Sequence, residues 1–446
     1  MPDGLGSRER LRPAGPAVPR LERGEGARSC GPRIGCARGG PEMTETIAYN
    51  PFEPGFAEDP YEQYAAMRSA EPVHLTPLEF WVLFSYDDIA RFLKDPTLSV
   101  EDANARPTAI DQMIIDAVGD RAQRGSHTML NLDPPDHTRL RKLVMKAFTP
   151  RVVENLRPRV QALVDQMLDK AAARAEMDII ADFAFPLPFA VISEMLGVPP
   201  TDGDKLRAWS GLIVRSLEPI VDTNLAIAIA DASDHMYEYV GEMIERKRKE
   251  PADDLLSALI AAEEQGDVLS DDELQEQVLL LYVAGHETTV NLIGNGLLAL
   301  LKNRDQLERL RADTSLMPNA VEEFLRYDSP VQMSRRITLS DVEVGGRAIG
   351  KGSFCGLVLA SANRDKARWG ANADALDVTR ADASHHLSFG GGAHYCLGAS
   401  LARVEAQVAI GSLIGRFPTI EQASDPVWNG RINLRGLETL TLSLNG

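Results

Sequence analysis

Phe389-Gly390-Gly391-Gly392-Ala393-His394-Tyr395-Cys396-Leu397-Gly398 is the stretch on which the reading of this chain turns. Its glycines let the backbone turn tightly and approach something flat and large, and the residues after it read as a helix. Cys396 therefore lies at a helix N-terminus, where unpaired N–H groups and the macrodipole favour a thiolate. Plainer readings exist for each part. A lone buried Cys is most often a small hydrophobe, and a Gly-Gly-Gly run is most often a turn. This run lacks the Gly-Lys-Ser/Thr ending of a phosphate loop. No second Cys or Cys/His pair stands nearby at zinc spacing, so a thiolate offered from this loop suits a haem iron better than zinc.

The pattern Phe-x-x-Gly-x-x-x-Cys-x-Gly resembles the haem-ligand loop of the cytochrome P-450 monooxygenases. Further pieces in the family's order extend the resemblance from Asn50 to the C-terminus: Asp59-Pro60-Tyr61, Tyr86-Asp87-Asp88, Ala362-Asn363-Arg364-Asp365 and Arg435-Gly436-Leu437. The resemblance implies a mainly α fold with small β-sheets, the helical triangular prism, enclosing haem b (iron protoporphyrin IX) between two long helices. It makes Cys396 the axial iron ligand and places Phe389, Gly390, His394 and Gly398 around the haem.

Ser270-Asp271-Asp272-Glu273 is a capping box. From it the sequence predicts one unbroken helix to about Leu301, about 45 Å at 1.5 Å per residue. Mid-helix stands Ala284-Gly285-His286-Glu287-Thr288-Thr289. Gly285 costs about 1 kcal/mol relative to Ala in a helix interior and so wants a reason. The resemblance supplies one: here the family's helix bulges to admit dioxygen, and the missing Cβ makes room. Thr288, at i+4 from Ala284, can bond that carbonyl or release it. By resemblance Ala284 borders the haem, while Glu287 and Thr288 relay protons to bound oxygen. The plain alternative is a Thr satisfying backbone and a Glu on a solvated face. His286 reads as structural or pocket-lining.

Glu323 and Arg326 sit at i, i+3. An isolated helical ion pair contributes only about 0.2–0.5 kcal/mol, but as Glu-x-x-Arg before Pro330 the two resemble the family's buried bracing pair. Four residues match the family's haem-propionate partners. They are His137 and Arg141 on one helix face, Arg336 on a strand, and His394. Strand alternation points Arg335 to the opposite face from Arg336.

The 446 residues are 44% hydrophobic and carry a net charge of −18, which argues against a nucleic-acid or anionic-membrane binder. No segment approaches the ~20 apolar residues of a membrane span. Of the four cysteines (Cys30, Cys36, Cys355, Cys396), none suggests a disulfide framework, which fits a reducing cytoplasm. Residues 1–42 are rich in Arg, Gly and Pro and poor in apolar residues. They read as a disordered extension left by a misplaced start, before a catalytic domain at 43–446.

Between His137 and Val153 five basic residues (Arg139, Arg141, Lys142, Lys146, Arg151) meet no acid, a local reversal of the chain's charge. The plain reading is a solvated helix face. The resemblance makes it a dock for an acidic ferredoxin, with Arg403 joining. With no flavin or nicotinamide fingerprint, electrons must come from a separate ferredoxin and NAD(P)H-dependent reductase.

The expectation is a soluble bacterial-type haem-thiolate monooxygenase that hydroxylates or epoxidises an apolar small molecule with O2. The rivals are a hydrogen-peroxide-using peroxygenase and a non-catalytic haem-binding sensor. Val331, Gln332 and Met333 are the expected substrate contacts.

Overall fold

The computed structural model describes residues 49–220, 222–264 and 266–444. The expectations for residues 1–42, with Cys30 and Cys36, lie outside the described residues. Ile47–Gly446 forms one compact unit. Seven helices position the site: α1 (Asp136–Ala147), α2 (Arg157–Ala172), α3 (Thr223–Lys249), α4 (Asp271–Ala284), α5 (Glu287–Lys302), α6 (Met317–Tyr327) and α7 (Ala399–Arg416).

Helix α2 follows its apolar period, burying Val160, Leu163, Val164, Leu168 and Ala171. It packs on α7, which also meets α5 and α6. Helix α5 is apolar or small almost all round, and every residue from Thr289 to Leu301 is buried, as expected of a helix in the middle of a core. Contacts along α5 and α7 advance together. Thr289 lies beside Glu405, and Gly296 is backed by Ile410. The two helices therefore run the same way, and their N-termini lie at one end of the pair.

The capping box at Ser270 forms as predicted, with Glu273 N–H donating to Ser270 Oγ (3.2 Å) and Ser270 N–H to Glu273 Oε2 (2.9 Å). The single long helix does not. The chain leaves α4 at Ala284 and re-enters a helix at Glu287. Gly285 N–H still reaches the Leu281 carbonyl (3.0 Å), but Thr289 and Val290 N–H both return to the His286 carbonyl (3.0 Å each). His286 holds the break. Its ring is buried, its Nδ1–H donates to the Tyr282 carbonyl (3.0 Å), and the rings of Phe185, Phe189 and Tyr282 surround it. Tertiary packing on this imidazole, which periodicity does not register, divides the helix.

Strands β1 (Val73–Leu75), β2 (Trp81–Leu83), β3 (Leu98–Ser99), β4 (Ser334–Thr338) and β5 (Phe354–Leu357) form a sheet in the order β1-β2-β5-β4-β3. It is antiparallel except where β5 pairs with β2. A hairpin turns at Gly345-Gly346, pairing Val342–Val344 with Arg347–Ile349. The sheet ends at Leu357, because Leu359–Ala362 closes a helical turn on the Val358 and Leu359 carbonyls. Cys355 lies in β5, wholly buried, where burial pushes its thiol up to about 12, so it behaves as a small hydrophobe. No helix among the described residues is long and apolar enough to cross a membrane.

Candidate active site

The decisive loop is folded by its own backbone. Cys396 N–H donates to the Phe389 carbonyl (2.9 Å), Tyr395 N–H to that of Gly392 (3.2 Å) and Gly390 N–H to that of Leu387 (2.8 Å). Gly390 and Gly392 adopt φ of 69° and 67°, a region L side chains avoid. At Gly392 a Cβ would also stand 2.6 Å from the Leu93 carbonyl oxygen. Phe389 is half-buried, with the Arg403 guanidinium 4.7 Å from its ring centre.

Cys396 is exposed in surface area, though protein encloses it on its other sides. The sequence reading expected the helix N-terminus to favour its thiolate. Burial instead pushes the thiol up, outweighing the N–H groups of Gly398 and Ala399 and the charges of Arg141 and Arg403. A bound metal reverses that balance, since a coordinating thiol is deprotonated outright. Ala284 is exposed at the end of a helix that is otherwise largely buried. Because α5 and α7 run the same way, Ala284, just before α5, and Cys396, just before α7, stand at the same end of the pair.

The four residues matched to propionates converge. The rings of His137 and His394 lie 4.2 Å apart. Burial, then the charges of His137, Arg336 and Arg141, push His394 down to about 3. Burial also lowers His137, with Arg141 adding to it. Arg336 is buried and lowered to about 10 by that burial, and it donates to the Leu93 (2.8 Å) and Arg335 (2.7 Å) carbonyls. Arg141 donates to the Tyr395 carbonyl (2.6 Å), next to Cys396. Arg335 turns the other way as predicted, to Val100, Asp102 and Asn131.

Both ring nitrogens of His137 are buried without a hydrogen-bond partner. Such orphans are costly, and an anionic group with acceptor oxygens would take the one N–H that the neutral ring carries. Together with the thiol before α7 and the exposed Ala284 before α5, these residues fit haem.

On the oxygen side Thr288 Oγ1 donates to the Ala284 carbonyl (3.3 Å), one of its two expected states. Glu287 is bonded to Arg431 Nη1 at 2.6 Å, a partner 144 residues away that sequence reasoning did not find. At Gly285 a Cβ would sit 2.7 Å from the Leu281 carbonyl oxygen and 3.2 Å from Ile192, so its bareness serves packing at the helix break.

The bracing pair is real and larger than expected. Arg326 donates to Glu323 through Nε (2.7 Å) and Nη2 (2.8 Å) with both side chains wholly buried. Arg380 joins Glu323 at 3.1 Å, and Arg326 also ties the Asn363, Ala373 and Ala375 carbonyls. The expected basic face is smaller than its charge count. Arg139 is paired with Glu273 and Asp267, and Arg403 with Glu322 at 2.6 Å. Lys142 and Arg151 remain exposed beside the exposed Met145 and Val152. Among the expected substrate contacts, Gln332 is turned into the core, bonded to Tyr64 and the Ser329 carbonyl. Met333 packs with the cluster around Tyr64 and Phe84.

Glu405 on α7 was not anticipated. It is wholly buried, neither carboxyl oxygen has a hydrogen-bond partner, and burial pushes its pKa well up. It follows Cys396 by nine residues, and only the packing of α7 on α5 brings it to Thr289.

Comparison with known proteins agrees with this geometry. The family model for cytochrome P450 matches residues 219–432. Cytochrome P450 107B1 of Saccharopolyspora erythraea is 46% identical over 400 residues, 87% of this chain and 96% of that protein. The vitamin D(3) 25-hydroxylase of Pseudonocardia autotrophica is 41% identical over 90% of this chain and 98% of its own length. The solved structure of the Bacillus subtilis bacillaene polyketide synthase cytochrome P450 PksS superposes with a TM-score of 0.81 at 38% identity, covering 89% of this chain and 100% of that one. The chain belongs to the cytochrome P450 family: it is a haem b monooxygenase, an oxidoreductase.

Proposed function

We propose that this enzyme inserts one oxygen atom of O2 into an apolar small molecule, by hydroxylation or epoxidation, with electrons from a separate ferredoxin and its NAD(P)H-dependent reductase in the cytoplasm. The observation that carries the reading is the parallel run of α5 and α7, which sets Cys396 and Ala284 at one end of the pair.

Haem supplies the binding and reductive activation of oxygen. Cys396 would hold its iron through the thiolate sulfur, which donates electron density to the metal. Phe389, Gly390 and Gly398 would shape the cradle, and the exposed Ala284 would leave room for it. His137, Arg141, Arg336 and His394 hold the propionates. His137 and His394 are kept neutral by burial, so they donate N–H bonds while the arginines carry charge.

Glu287 and Thr288 move protons to the oxygen side. Thr288 Oγ1 releases the Ala284 carbonyl to donate toward the reacting oxygen, and Glu287 recharges it by exchanging Arg431 for water. The exposed Lys142 and Arg151, with Met145 and Val152, form the ferredoxin contact, an apolar patch with a cationic rim. Support for an apolar substrate comes from the relative named for vitamin D(3).

The test is a spin-state titration of the haem protein with apolar compounds, followed by turnover with NAD(P)H through a surrogate ferredoxin. Product formed in proportion to NAD(P)H is expected. Product formed with hydrogen peroxide alone, and none through ferredoxin, overturns the reading.

A further inference from the structure

The segment 431–434 lies outside every helix and strand and joins its surroundings by a lone β-bridge between Val331 and Leu434. Its backbone N–H groups are nevertheless all satisfied, and by side chains. Arg431 N–H donates to Asn429 Oδ1 (3.1 Å). The next three, Ile432 (2.9 Å), Asn433 (2.9 Å) and Leu434 (2.7 Å), donate to the one carboxylate of Glu218. Glu218 follows the turn Val214–Leu217, 214 residues before Ile432. Asn433 adds two ties: its Nδ2 donates to the Leu217 carbonyl (3.1 Å) and its Oδ1 accepts from Met333 N–H (3.0 Å).

Successive N–H groups converging on one point make an anion-binding concavity, and hydrogen bonds to an ionised acceptor are the stronger kind. One side chain therefore fixes where this segment lies. The plain reading is that Glu218 merely satisfies a loop. What the segment carries at its head argues for more. Arg431 is in one ion pair among the described residues, Nη1 to Glu287 Oε1 at 2.6 Å. Glu287 opens α5 and stands next to Thr288.

We propose that Glu218 is a positioning residue for proton delivery: it seats 432–434 and so holds Arg431 on Glu287. The inference rests on the Glu287–Thr288 relay proposed above. An opposite charge at hydrogen-bond distance favours the carboxylate. A firmly held Arg431 thus keeps Glu287 ready to release a proton, and a loosely held one leaves it protonated to higher pH. Burial lowers the neighbouring His286, and Arg207 and Arg431 add to this, so its ring is neutral near pH 7. Glu405 faces Thr289 from α7 and is raised by burial. Arg431 is the charge in contact with Glu287.

Amide exchange of the haem protein, read by mass spectrometry, tests the seat without turnover. Glu218→Gln should speed exchange across 431–434 about tenfold while α7 exchanges as before. Unchanged exchange across 431–434 overturns the proposal.

The second readout is the pH profile of product formed per NAD(P)H through a surrogate ferredoxin. Arg431→Gln should move one limb up by about one pH unit, and Glu218→Gln should move the same limb by part of that. In the double variant Glu218→Gln should add nothing, because it acts through Arg431. Should Glu218→Gln fold poorly, Glu218→Asp keeps the charge with a shorter reach and should shift the limb the same way by less. A limb that stays in place when Glu218 is changed, or shifts that add in the double variant, overturns the proposal and leaves the relay standing. Glu287→Gln should lose that limb or fall low at every pH. If it matches the unmutated enzyme throughout, the relay reading falls and this inference with it.

Discussion

On the thiolate side, Glu322 is gripped by Arg403 and the His386 ring, and Glu323 by Arg326 and Arg380. On the oxygen side the helix is interrupted at Gly285–His286, and behind it both oxygens of Glu405 have no hydrogen-bond partner. Both regions bury charge-bearing residues in one core. Saturated pairs tie together loops that local structure would leave apart, fixing the frame that presents Cys396. At the interrupted ladder the Ala284 carbonyl takes a side-chain hydrogen bond from Thr288 Oγ1 (3.3 Å). The difference is one of saturation: the carboxylates beside the Cys396 loop are fully partnered, whereas the helix break leaves its polar groups less tied.

The strongest way to break that comparison is at the ligand itself. Cys396→Ser should reduce NAD(P)H-driven product formation to background; retained turnover would remove Cys396 from the iron. Next is the frame. Arg326→Ala leaves Glu323 buried with half its partners and should cost about 3–5 kcal/mol in urea unfolding. A loss under about 1 kcal/mol would mean the pair is ornamental.

Acid should act on the same frame. Burial pushes the Glu322 carboxyl up, but bonds from His386 and Arg403 and their charges outweigh it and hold it at about 2. Burial lowers His386 itself, so Arg403 carries the lasting positive charge. A depressed carboxyl stabilises fully above its unfolded pKa. Glu322 should therefore contribute above about pH 4.5 and lose that contribution as pH falls toward 2, on the order of 3 kcal/mol. Glu322→Gln should flatten that part of the stability–pH curve; an unchanged curve refutes the assignment.

Gly285→Ala should cost about 1–3 kcal/mol, because the new Cβ meets the Leu281 carbonyl and Ile192. A neutral result would show that the break absorbs a side chain. Thr288→Ala should be the mildest for stability, within about 0.5 kcal/mol. It should nonetheless lower product formed per NAD(P)H, and tight coupling in that variant counts against the relay.

Much of the fold was legible. The capping box at Ser270 and the opposite facing of Arg335 and Arg336 follow from spacing that local physics respects. The site was legible as residue types in order: the loop, Glu-x-x-Arg, and the four propionate candidates. Its partners were not. Arg431 on Glu287, Arg380 on Glu323 and Glu322 on Arg403 join residues whose separation along the chain carries no local signal. The length of the oxygen-side helix was misread for the same reason, since the rings that seat His286 include Phe185 and Phe189, about a hundred residues upstream.

By itself the sequence determined what is set by neighbours in the chain: a thiol at a helix N-terminus and helices with buried faces. Those depend on backbone geometry and on which faces can leave water. Tertiary structure alone decided which charges are spent inside the molecule and which stay open. Of the basic run, Arg139 is consumed by acids on other elements while Lys142 and Arg151 remain at the surface. Of the buried carboxyls, Glu323 is saturated while Glu405 is not. The reason is physical: a charge is neutralised by whatever folding brings within a few ångströms, and that distance is not written in the order of residues.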